Sequence, residues 1–160
     1  MSTANLRTEV GSLAAEWWSR LKECPGARAR LRRCGSVLEI ILEPEVHSLR
    51  RAFQSLENSR VSIETVALIA GTLAWVEEAS NESMGEQLGK AAEQKAAIQN
   101  RMRRLLKEER GNYDRLLDQW RRVLALLGGR ANPAELSKLI FFWGDTAKKR
   151  FATDFYEHIK

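Results

Sequence analysis

Between Lys90 and Arg122 the chain reads KAAEQKAAIQNRMRRLLKEERGNYDRLLDQWRR. Ile98, Met102, Leu105 and Leu106 recur at helical spacing, and at about 100° per residue they gather on one side of a cylinder. Arg101, Arg103, Arg104, Lys107 and Arg110 fall on the other side. One face suits a core and the other presents cations along a line. The run from Asp114 to Leu127 repeats the arrangement with Arg115, Arg121 and Arg122.

The same periodicity divides the rest of the chain into short helices. Leu6, Val10, Leu13, Trp17 and Leu21 mark a stripe over about residues 3–22, stopped by Pro25-Gly26. Trp17 and Trp18 on that stripe read as core rather than as a platform for bases. RARLRR (residues 28–33) is a short helix or turn. Ser36, with Glu39 three residues on, starts a helix as a capping box. Val37, Leu38, Ile40, Ile41 and Leu42 are expected to be buried. Pro44 suits the first turn of the next helix, from Glu45 to about Leu56. Asn58-Ser59-Arg60 reads as a loop, and Ser62 caps a helix reaching about Ala79. SNESMGEQLG (residues 80–89), polar and small, is expected to be a mobile connection between two subdomains. A long basic helix follows, interrupted at Gly111-Asn112. Gly128-Gly129 ends the helix that carries Trp120. Asn132-Pro133-Ala134-Glu135 starts the next, whose buried face is Leu136, Leu139, Ile140, Phe142 and Trp143. Gly144 is expected to close it as a left-handed cap. A last helix, about Thr146 to His158, packs Phe151, Phe155 and Ile159 and exposes Lys149 and Arg150.

With only three prolines in 160 residues, and Ala, Leu, Glu, Arg and Lys abundant, the pattern predicts an all-α fold. The expected arrangement is two small helical bundles forming an elongated subunit: an N-terminal bundle over residues 1–82 and a basic C-terminal bundle over 83–160. Residues 1–82 hold 10 Lys and Arg against 11 Asp and Glu, whereas residues 83–160 hold 16 against 10. An anionic partner is therefore expected on the C-terminal half, with RARLRR as a local cluster in the other. No apolar run reaches membrane-spanning length and MSTANLRTEV lacks a signal core, so the expected compartment is the cytoplasm.

Chemistry-bearing motifs are scarce. His47 and His158 have no acidic or Cys partner at ligand spacing, so no metal site is expected. Cys24 and Cys34 match no zinc or CxxC pattern and read as free thiols. Phosphate-cradling, nucleophile-elbow and zinc-hydrolase motifs are absent. Neighbouring carboxylates such as Glu77-Glu78 and Glu108-Glu109 point about 100° apart and do not converge on a substrate. The chain reads as a non-enzyme without cofactors. What it does offer is Arg and Lys on helices, and Arg forks across two phosphate oxygens. No base-reading motif accompanies them, which implies backbone contacts with little sequence readout.

An ordered set of pieces resembles the CasB family, the small subunit of the type I-E CRISPR surveillance complex, Cascade. The pieces are Leu88-Gly89-Lys90, RMRRLLKEER (residues 101–110), Arg121-Arg122, FFWG (residues 141–144) and Asp154-Phe155. Weaker similarity covers Trp18 to Arg33 and Glu57 to Arg60. The resemblance implies an all-helical, non-catalytic subunit, two copies of which lie head to tail along the belly of the complex. Its implied partners are the guide RNA, the target and displaced DNA strands, the Cascade backbone and large subunits, and a second copy of itself. By position, the family's nucleic-acid contacts fall on Arg33, Arg60, Arg101, Lys107, Arg110 and Arg122, with Lys90 and Arg121 as neighbours. Family members often carry basic residues directly after Trp-Gly; here Asp145-Thr146-Ala147 intervenes before Lys148, Lys149 and Arg150, whose role is left open. Two other readings of the residues stand beside this one: a stand-alone helical DNA-binding regulator, and a protein-interaction adaptor whose basic surface is only a solvated face.

Overall fold

A computed structural model of the chain describes residues 3–56 and 60–159. Among them are ten helices and one pair of two-residue strands. In chain order these are α1 (Thr3–Lys22), α2 (Pro25–Arg33), α3 (Val37–Ile41), α4 (Pro44–Gln54), α5 (Ile63–Leu73), β1 (Glu78–Ala79), α6 (Met84–Ala92), α7 (Ala97–Leu106), α8 (Tyr113–Leu126), β2 (Arg130–Ala131), α9 (Pro133–Phe141) and α10 (Asp145–His158). The all-α expectation holds. The strands pair in parallel, Glu78 with Arg130 and Ala79 with Ala131, and tie the segment after α5 to the α8–α9 link.

The helix starts follow local chemistry. Ser36, Ser62, Ser83 and Asn132 each accept a hydrogen bond from the backbone N–H three residues on, which satisfies a donor the helix leaves open. At α3 the capping box is completed one residue early, because Glu39 reaches back to the N–H of Gly35 rather than of Ser36. Pro25, Pro44 and Pro133 stand in first turns, where no N–H is needed. Gly128 and Gly129, at φ +67° and +79°, stop α8 in the left-handed region that glycine enters without a Cβ clash.

One cluster of buried side chains runs through both halves of the chain, from Val10 to Phe155. α5, buried from Thr65 to Leu73, packs against α3, α4, α8 and α9. The most extensive helix pairs are α6 with α10 and α1 with α9. The expected boundary at 82/83 falls in the link between β1 and α6, and the buried cluster continues across it. Trp120 lies at 5.6 Å from Trp143, edge to face, and at 5.9 Å from Phe151, stacked. Trp17 and Trp18 are core: their indole N–H groups donate to Glu45 O and to Val76 O.

Several local expectations are corrected. The segment 80–89 is no mobile connection. Ser83 caps α6, Ser83 Oγ donates to Asp154, and Gly85 and Gly89 lie tight against α10. The long basic helix is two, α6 and α7, separated around Glu93–Ala96, and α7 ends at Leu106. α5 ends at Leu73, because the chain must turn there to reach β1. Gly144 is extended, not left-handed, and starts α10 rather than closing α9. Leu38 and Leu42 are 68% and 75% exposed, and Ile41 is half-buried. A five-residue helix can bury only one side, and on α3 that side is Val37 and Ile40. The loop reading of Asn58 and Ser59, and the similarity at Glu57 to Ser59, lie outside the described residues.

Candidate nucleic-acid interface

Ile98, Met102 and Leu105 anchor α7 against α8, one turn apart in succession. This fixes which way the remaining side chains face. Arg103 and Arg104 are exposed on the open side, and Lys107, the C-cap, is exposed at its end. Arg101 is half-buried at the border of the packed face. None of the four forms an ion pair with a carboxylate among the described residues. Arg110 is not on the helix. It sits in the turn between α7 and α8, exposed, with a long 3.5 Å contact from its guanidinium to Phe141 O. That turn is fastened to the α9–α10 junction by Trp143, whose indole N–H donates to Glu108 O at 2.9 Å. The Arg110 cation is thus carried on an anchored backbone.

Arg121 and Arg122 are neighbours in sequence but face apart in space, since adjacent helix positions point about 100° apart. Arg121 turns inward. Its guanidinium donates to Gly71 O at 3.2–3.3 Å, to Leu31 O at 3.0 Å and to Cys34 O. These carbonyls belong to the C-terminal ends of α5 and α2, where helices leave acceptors unpaired and carry partial negative charge. Its plane also lies over Trp75, 5.5 Å from the ring centre. Burial lowers its pKa from the ordinary arginine value, because desolvation penalises the charge. The structure thus places Arg121 as an internal clamp, with its donors committed to protein. Arg122 is exposed and pairs with Asp118 at 3.0 Å. A surface pair of that kind contributes about 0–1 kcal/mol and yields readily to a phosphate.

The RARLRR cluster is sorted in the same way. Arg28 donates to Ala74 O and Val76 O. Arg30 pairs with Glu43 at 3.2 Å and Glu45 at 2.5 Å, and the hydrogen bond to Glu43 is the chief cause that raises its pKa. Arg32 pairs with Glu77 and covers Trp75. Arg33 remains, exposed and without an ion pair among the described residues. The link after it is held along α8, by Arg121 at Cys34 O and by Asp114, which accepts from Val37 N at 2.8 Å. Arg33 is therefore brought beside α8. Arg60 is exposed two residues before Ser62, whose hydroxyl meets Tyr113 at the start of α8. That contact sets Arg60 near the turn that carries Arg110.

Lys90 stands apart on α6. Its ammonium lies 3.0 Å from Glu86 and 3.1 Å from Glu82, and these hydrogen bonds, Glu86 first, raise its pKa. Lys148 is half-buried over Trp143, while Lys149 and Arg150 are exposed on α10. The family resemblance assigns no contact to Arg103 and Arg104, which the helical pattern puts on the cationic side, and the structure leaves both exposed. The signal that distinguishes them is the phase of the helix relative to Ile98, Met102 and Leu105.

Other chemistry is thin. No group of three or more His, Cys, Asp or Glu side chains among the described residues is arranged to hold a metal. Both cysteines are free, Cys24 exposed and Cys34 buried. No helix among the described residues is long and apolar enough to cross a membrane. The site and fold define a helical protein with a cationic edge.

A family model described as "CRISPR-associated protein Cse2" matches residues 27–156, and the chain belongs to that family. Membership places it among the small subunits of CRISPR Cascade complexes, a structural, non-catalytic family. Two solved structures share its fold. One is a CRISPR-associated protein of the Cse2 family from Thermus thermophilus, with 21% identity and a TM-score of 0.71. The other is CasB from the same species, with 22% identity and a TM-score of 0.68. Each alignment covers 92% of this chain and 97% of the other. No curated protein matches the chain.

Proposed function

We propose that this small subunit binds nucleic-acid backbone within its complex, in the cytoplasm, and stabilises the guide RNA–target DNA hybrid and the displaced strand of the R-loop. The observation that carries this reading is the open face of α7 with the turn behind it. Arg103, Arg104, Lys107 and Arg110 are exposed there and have no carboxylate partner among the described residues. Arg101 joins them at the border, and Arg33, Arg60 and Arg122 extend the surface along α8 and its N-terminal end. Phosphate contacts release condensed counterions and need no base contacts, which suits a subunit that must accept any target sequence. R-loop formation is a nearly balanced exchange of one duplex for another, so modest backbone contacts tip it. Lys90 takes part only by exchanging its two carboxylates for phosphate, and Arg121 acts by holding α8 in place rather than by contact. The partners of this reading are the guide RNA, both DNA strands, the backbone and large subunits, and a second copy of the chain.

The test is charge reversal of Arg101, Lys107 and Arg110 together in the reconstituted complex. With folding and assembly intact, R-loops on a matched duplex should lose stability. R-loops of unchanged stability would make this face a solvated surface.

A further inference from the structure

Leu38, Leu42 and Tyr156 are the large apolar side chains most open to solvent among the described residues, and Tyr156, at 47%, is the aromatic one. It stands on α10 beside Phe155, which is fully buried, so the helix turns one ring in and the next ring out. The two rings meet edge to face at 5.0 Å and 83°. Gln99 and Arg103 of α7 lie beside the Tyr156 hydroxyl and, Gln99 first, hold its pKa below the ordinary phenol value. The ring thus rests at one side on a core aromatic, with its tip beside α7 and much of its surface left uncovered.

Gln99, Arg103 and Lys107 follow one another at four-residue spacing, which is about 6 Å per step along one side of a helix. Tyr156 therefore stands at the start of a row whose next members are cations without carboxylate partners. An aromatic ring leading a line of cations is what single-strand binders use: cations follow the backbone while an unpaired base stacks on the ring. A duplex offers no free base face, because its bases are already stacked on each other. Pre-fixing the ring removes part of the entropy cost of ordering it on binding.

We propose that Tyr156 is a stacking platform for an unpaired base of a single DNA strand whose phosphates run along Arg103 and Lys107. This rests on the nucleic-acid reading of α7 and adds to it a preference for single strands over hybrid or duplex.

The experiment measures binding of the full chain at low salt to a labelled thymidine strand, to a strand of equal length made of abasic sites, and to an RNA–DNA hybrid. The native chain should prefer the thymidine strand to the abasic one by about fivefold to 150-fold. Tyr156→Ala should abolish that preference and leave abasic-strand and hybrid affinities unchanged. Tyr156→Phe, which keeps the ring and loses the hydroxyl, should retain most of it. Arg103→Glu with Lys107→Glu should weaken binding to all three. Equal affinity of the native chain for thymidine and abasic strands, or a preference that survives Tyr156→Ala, overturns the stacking role. If binding stays salt-sensitive and responds to the charge reversal, that result leaves the backbone reading standing. Absence of binding to all three overturns both.

Discussion

Arg121 donates to the carbonyl of Cys34, 87 positions earlier in the chain, and so locks the C-terminal end of α2 onto the middle of α8. The same guanidinium reaches Leu31 O and Gly71 O, so one cation closes the C-terminal ends of two helices. Arg121→Ala removes charged hydrogen bonds and leaves the part-buried carbonyls of Gly71 and Cys34 without their side-chain donor, each worth about 1–3 kcal/mol, while Leu31 O keeps the N–H of Cys34. An overall loss of about 2–4 kcal/mol is expected in denaturant titration. Lys does not restore it, because an ammonium lacks the planar fork. Arg122→Ala, one residue on and solvent-exposed, should change stability by no more than about 0.5 kcal/mol.

The opposite split is expected for binding. Each cation that contacts a duplex phosphate contributes about 0.9 to the slope of log K against log salt. Replacing Arg103, Lys107 and Arg110 by Gln should flatten that slope by up to about 2.7 if all three make contacts. Titrations at several salt concentrations check this, and an unchanged slope would remove these residues from the interface.

Gly89 tests the α6–α10 contact. A Cβ there would stand 2.5 Å from Phe155 O and 2.8 Å from His158 Cβ, and a backbone atom cannot swing aside. Gly89→Ala should cost about 1–3 kcal/mol by overpacking and loosen α6 from α10. Thermal unfolding and amide exchange on α6 would report it. Gly85→Ala should be costly for the same reason, because its Cβ would stand 2.7 Å from Asp154 Cβ, an atom that no side-chain rotation moves.

The two thiols should behave differently. Cys34 is buried, and burial is the chief cause that raises its pKa above the ordinary thiol value. In the folded chain it keeps its proton at pH values where the unfolded chain has lost it. The folded state then binds more protons, so stability falls as pH rises through the ordinary thiol range and continues to fall toward the raised value. Cys34→Ala should remove that part of the pH dependence in denaturation curves. Under native conditions a thiol reagent should label exposed Cys24 and spare Cys34.

On α3 the exposure pattern predicts a contrast between neighbours. Ile40 is fully buried, and its side chain fills the space above Gly71. Ile40→Ala should cost about 2–5 kcal/mol, whereas Leu38→Ser with Leu42→Ser should cost about 1 kcal/mol or less. Equal losses in chemical denaturation would mean that α3 is turned differently.

The sequence by itself determined the all-helical class, most helix starts and most of the core. Those features are local: a serine or asparagine caps the three residues after it, a proline suits a first turn, and a stripe at 3.6 spacing has one dry side. The two tryptophans of α1 and the stop at Gly128-Gly129 were legible for that reason. The clustering of arginines is likewise visible without coordinates. Which arginine faces which way was decided only by tertiary structure. Arg28, Arg30 and Arg32 meet carbonyls and carboxylates from distant segments, and Arg33 does not. Arg121 and Arg122 look alike in the chain, yet one closes two helix ends and the other meets solvent. Segment 80–89 looked loose because its residues are small and polar. In the fold the same smallness allows α6 to approach α10, which no local pattern reveals. A guanidinium's partner is set by which backbone ends the packing brings within its reach, and that distance is a property of the whole fold.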